Sequence, residues 1–187
     1  MCLASCGIDA AVMQALAPGL AHLPWFDTLD LFDNPLGSNG AVALAPSLPT
    51  MTSLVELRLS RCVIRSDGAV ALARGLSSLT QLLALNMRSN DVGAEGMVAL
   101  ALAIARLRRL KARQLGGNPF GNAGASALAA ALPLLTHATR LSMSHCGFDA
   151  EGAAALAQGL ASMPCRESLN LSGNLLGPQG AEALAAC

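Results

Sequence analysis

A self-similarity with a period of 28 residues leaves this chain little freedom of fold. Leu54 to Gln81 aligns in register, without a gap, with Leu82 to Arg109, and the same frame takes in 26–53, 110–137 and 138–165. A partial unit over 1–25 precedes these full units and another over 166–187 follows. The expected organisation is therefore one array of about seven repeats over 1–187, with nothing left for a linker or second domain. Inside each unit the apolar spacing changes. The opening reads L-x-x-L-x-L, as at Leu54, Leu57 and Leu59, which is the alternation of a short strand with one buried face. Later in the unit Leu72 and Leu76, Leu100 and Ile104, and Leu156 and Leu160 stand four apart, the buried stripe of a helix.

One strand–turn–helix unit cannot bury its own apolar face, so the units must stack. Strands stack about 4.8 Å apart and helices about 8–10 Å apart. The stack therefore curves, with parallel strands on the concave wall and helices on the convex one: an α/β solenoid. The ninth position carries Cys6, Asn34, Cys62, Asn90, Asn118, Cys146 and Asn174. An amide there can satisfy backbone groups that a short strand leaves unpaired, and a thiol is a weaker version of the same filler. The fifteenth position is Gly40, Gly68, Gly96, Gly124, Gly152 and Gly180.

The resulting unit, L-x-x-L-x-L-x-x-[N/C]-x-[L/I/V]-x-x-x-G-A-x-A-L, resembles the ribonuclease-inhibitor-type leucine-rich repeat. That subtype also builds the sensor arrays of NOD-like receptors and the body of the Ran GTPase-activating protein. The resemblance covers the whole chain but rests on structural positions. It implies a leucine-rich-repeat solenoid and leaves three functional expectations: a non-enzymatic interaction module, a GTPase activator of the Ran-regulator type, or a receptor's sensor array.

Departures from the pattern carry expectations of their own. Arg113 stands where complete neighbouring units have leucine, so it should snorkel to the edge of the array or perturb its strand. Pro18 and Pro46 fall mid-helix and should shorten or kink those helices, with their rings on the convex side. Neither end carries a polar capping unit, which predicts a piece of a longer array and weak self-association through uncovered ends.

Composition removes other classes. With 12 basic and 12 acidic residues the chain has zero formal net charge, which argues against nucleic acid as a partner. The longest uncharged apolar stretches, such as Ala125 to Leu135, fall short of the roughly 20 residues of a bilayer span, so no membrane partner is expected. Cys6, Cys62 and Cys146 are spaced by two or more units, too far for disulfides, and no zinc-type pairing of cysteines exists. Free thiols and a cytoplasmic location follow as expectations. His22, His137 and His145 form no set with a nucleophile or acid, so no catalytic residue, metal or cofactor is expected. The dense run Arg106, Arg108, Arg109, Lys111 and Arg113 reads chiefly as helix-end cations on a solvated edge.

Strand residues that alternate with buried leucines must face the inner wall. Across the units they form rows: Asp30, Arg58, Asn86, Gln114, Ser142 and Asn170, then Phe32, Ser60, Arg88, Gly116, Ser144 and Ser172. Asp33, Arg61, Ser89, Gly117, His145 and Gly173 form the rim. Asp30 should pair with Arg58, and Asp33 with Arg61, across adjoining strands. Phe32 is a large aromatic on an otherwise small and polar wall, as an interaction anchor would be. The candidate binding surface for a protein partner is accordingly Asp30, Phe32, Asp33, Arg58, Arg61, Asn86 and Arg88.

Overall fold

The structure, a computed structural model, describes residues 1–23, 25–163 and 167–186. It has six three-residue strands: β1 (Thr28–Asp30), β2 (Glu56–Arg58), β3 (Ala84–Asn86), β4 (Ala112–Gln114), β5 (Arg140–Ser142) and β6 (Ser168–Asn170). They form one parallel sheet in chain order, each paired with the next at an offset of one unit, as in Leu29↔Leu57 and Leu57↔Leu85. The helices are α1 (Ala10–Ala21), α2 (Gly37–Leu44), α3 (Arg65–Leu76), α4 (Ala94–Ile104), α5 (Gly121–Ala131), α6 (Ala150–Ala161) and α7 (Gly177–Ala185). Each packs on its neighbours in sequence, and one core runs the length of the array between helices and sheet. This is a curved α/β leucine-rich-repeat solenoid.

The asparagine column is the hydrogen-bonding spine. Asn90 Nδ2 donates to the carbonyls of Leu59 at 2.6 Å and Met87 at 2.9 Å, while its Oδ1 accepts from the Cys62 amide at 2.8 Å. One buried side chain thus ties two units together and satisfies backbone that three-residue strands cannot. Asn34, Asn118 and Asn174 repeat the arrangement. Cys62 is the weaker substitute: its Sγ donates to Leu31 O at 3.1 Å, the equivalent carbonyl. Cys146 does the same to Leu115 O at 3.6 Å. Both are buried free thiols whose pKa burial pushes up to about 11. Cys6, expected inside, is exposed, and its thiol meets only the Ala4 carbonyl two residues away. Cys165 and Cys187 lie outside the described residues.

Glycine at the fifteenth position is a packing requirement. A Cβ on Gly96 would stand 2.8 Å from Val92 Cγ1, 2.9 Å from Ser66 Cα and 3.0 Å from Ala69 Cβ, so only hydrogen lets α4 approach α3 this closely.

Two expectations change and a third holds. Arg113 neither snorkels nor disrupts its strand: β4 keeps its register, Leu85↔Arg113↔Leu141, with the side chain 1% exposed. Its Nε, Nη1 and Nη2 all lack a hydrogen-bond partner. The neighbouring strands hold the backbone in line, so the side chain goes where leucine would. Pro18 is exposed, as expected, but α1 runs through it to Ala21 and is not shortened. Pro46 does act as expected. It ends α2 after eight residues, and the chain continues as a 3₁₀ helix over Ala45–Thr50.

Candidate functional site

Because the leucines of each strand point into the core, the residues between them line a groove of about 800 Å³ on the strand wall. Its walls include Asp30, Phe32, Arg58, Arg61, Asn86 and Arg88, together with Glu56, Gln114 and Arg140. Six of the seven expected surface residues therefore converge. Asp33 is the exception. It lies on the rim outside the groove and accepts only a long hydrogen bond, 3.5 Å, from the Ser5 hydroxyl.

The electrostatics differ from the simple ladders expected. Arg58 Nη1 does meet Asp30 Oδ2 at 3.1 Å, but Arg58 Nε also takes Glu56 Oε1 from its own strand at 2.8 Å. Glu56, and after it Asp30, hold the Arg58 guanidinium more firmly protonated than usual. With nearly half of Arg58 exposed, these pairs fix geometry more than they stabilise, at about 0–1 kcal/mol each. Arg61 does not pair with Asp33. Its guanidinium carbon sits 5.9 Å from the centre of the Phe32 ring, at the outer range of a cation–π contact. Asp33 and Arg61 lie past their strands at φ 56° and 57°; the backbones there stay adjacent, with the Asp33 amide donating to the Ser60 carbonyl at 3.0 Å, and it is the side chains that part, Asp33 towards Ser5 and Arg61 towards Phe32.

Two of the expected residues also have backbone work. Asp30 Oδ1 accepts the Phe32 amide at 3.0 Å, and Asn86 Oδ1 accepts the Arg88 amide at 3.1 Å, so each acid or amide closes the turn that follows its strand. Asp30 is nearly buried, Phe32 and Asn86 are half-buried, and Arg58, Arg61 and Arg88 are exposed. Missed from the sequence was the row one alternation earlier, Glu56, Ala84, Ala112 and Arg140, which shares the groove. The period of two that selected Arg58 and Asn86 applies equally to it. Arg140 is tied to Glu167 at 3.1 Å.

On the far half Ser144 is buried, as Ser60 is on the near half, and a Cβ on Gly116 would lie 2.5 Å from its hydroxyl, while Ser172 is exposed. Arg58, Arg61, Arg88 and Phe32 gather at the other half.

Comparison with known families fits this geometry. Residues 22–45, 50–73, 78–101, 114–129, 135–157 and 167–185 match the family model described as Leucine Rich repeat. The chain belongs to the leucine-rich repeat family. The fourth match begins only at Gln114, immediately after the arginine that replaces a core leucine. No curated protein matches the chain. Leucine-rich repeats generally mediate protein–protein interaction, and a groove floored by rigid backbone suits that role. Among the described residues no group of three or more His, Cys, Asp or Glu side chains could hold a metal ion, and no helix is long and apolar enough to cross a membrane.

Proposed function

We propose that this leucine-rich repeat protein is a non-enzymatic interaction module of the ribonuclease-inhibitor-like subtype, acting in the cytoplasm. A protein partner docks on the concave face of the first three complete repeats. The subtype reading rests on the uniform 28-residue offset between paired strands, as in Asp30↔Arg58↔Asn86. The docking reading rests on one observation above all: a groove of about 800 Å³ holds Phe32, half-buried, with Arg58 of β2 and with Arg61 and Arg88 of the turns after β2 and β3. Aromatic and arginine side chains in one recess are the groups that dominate interface energetics, often at about 2 kcal/mol or more each.

Partner capture followed by titration of variants tests this. Phe32→Ala should weaken binding at least about tenfold, roughly 1.4 kcal/mol, with little loss of stability, because the ring lies on the wall and not in the core. Ser172→Ala, exposed on the far half, is the matched control. Equal effects of the two substitutions, or unfolding by Phe32→Ala, would assign the face wrongly.

A further inference from the structure

The groove's charges are not balanced among themselves. Two carboxylates, Asp30 and Glu56, line it against four guanidinium groups, Arg58, Arg61, Arg88 and Arg140. Both carboxylates are taken by Arg58, at 3.1 and 2.8 Å. Arg140 has its own partner outside the lining, Glu167. Arg61 and Arg88 are left. Neither has a carboxylate within 4 Å among the described residues, and neither side chain donates a hydrogen bond to any described residue. Their backbones are adjacent, with the Arg61 amide donating to the Arg88 carbonyl at 2.9 Å. Arg61 is also held at φ 57°, a left-handed conformation in which the equivalent positions of two later repeats carry glycine, Gly117 and Gly173. An arginine kept there costs backbone strain that glycine would avoid. The ring of Phe32 lies under Arg61 and lines the same groove as Arg88.

We infer that the partner engages this groove with an acidic segment, one carboxylate-bearing stretch placed across Arg61 and Arg88 and an apolar side chain against Phe32. The inference rests on the docking face proposed above and names the chemistry of what docks there. Arginine's planar fork donates two parallel hydrogen bonds to a carboxylate, and the turns after β2 and β3 present one such fork each on neighbouring repeats. A basic segment would meet uncompensated like charge at the same place. The other cationic run, Arg106, Arg108, Arg109 and Lys111, is also exposed but lies outside the groove that holds Phe32. It serves as the control for charge alone.

The test is selection of a random peptide display library on the folded chain, with recovered peptides re-measured on variants. Peptides rich in Asp and Glu should be enriched. They should lose at least about tenfold in affinity on Arg61→Gln/Arg88→Gln, and similarly on Phe32→Ala. They should lose less than about twofold on Arg106→Gln/Arg108→Gln, and bind more weakly as salt rises. Far-ultraviolet circular dichroism must show the folded spectrum for every variant. Enriched peptides that are neutral or basic, yet need Phe32, would overturn the acidic-segment inference and leave the docking face standing. Acidic peptides equally sensitive to both double variants would reduce it to general charge attraction and overturn the inference. Enriched peptides indifferent to Phe32→Ala, or none enriched at all, would overturn the docking face itself.

Discussion

Replacing Arg113 by leucine should make this array considerably more stable. The guanidinium is 1% exposed with all three nitrogens unpartnered, and burial pulls its pKa down to about 10. That lies at least two pH units below arginine's ordinary value, and each pH unit of displacement corresponds to about 1.4 kcal/mol, so holding the charge inside costs roughly 3 kcal/mol. Exchanging buried ionic groups for apolar ones of similar volume has gained about 1–4 kcal/mol in other proteins. Leucine already occupies the equivalent place at Leu57, Leu85 and Leu141, with strands in register on either side. Arg113→Leu should therefore add about 2–4 kcal/mol, read as a rise of about 1 M or more in the midpoint of urea unfolding. Arg113→Met, with an unbranched stem, guards against overpacking and should share the sign.

The pH dependence isolates the cause. Below about pH 10 the side chain is protonated both folded and unfolded, and the full cost is present. As pH rises through 10 the folded state releases its proton first. The unfolded chain then binds more protons, and stability rises with pH. The advantage of Arg113→Leu should therefore be constant from pH 7 to 9 and smaller by about 1 kcal/mol at pH 11. A neutral or destabilising Arg113→Leu, or an advantage that ignores pH, would refute the reasoning.

Other expectations follow from single positions. Gly75→Ala should destabilise by about 1–3 kcal/mol in denaturant titration despite alanine's better helix propensity, since a Cβ there would stand 2.5 Å from the Ala45 carbonyl oxygen. Val63 holds φ 53°, where Gly7 and Gly147 stand in other repeats, so Val63→Gly should raise stability by about 1 kcal/mol. Native thiol titration should show Cys2 and Cys6 reacting fast and Cys62 and Cys146 slowly, while the unfolded chain should count six; a count of four or fewer would exclude the all-thiol state. The two buried thiols keep their protons to about pH 11, above the unfolded value near 8.5, so the stability they leave intact below that value falls as pH climbs towards 11, and Cys62→Ala/Cys146→Ala should flatten that decline.

The repeat frame alone decided the order of elements, the parallel register, the purpose of the asparagine column, and one of the two strand rows that face the groove. It could do so because leucine spacing assigns each residue to a face, and a face shared by every unit can be buried only by stacking. Tertiary structure alone decided which charges meet. Arg58 reaches Asp30 and Glu56 together, whereas Arg61 stands over Phe32 and leaves Asp33 on the rim. Such choices turn on a few ångströms of side-chain reach and on a left-handed turn after each strand, neither of which the apolar spacing encodes. Arg113 shows the same division from inside the core. Its position was legible as a break in the leucine column, but its burial followed from the strands on either side, whose paired backbones kept β4 in line and left the side chain nowhere else to point.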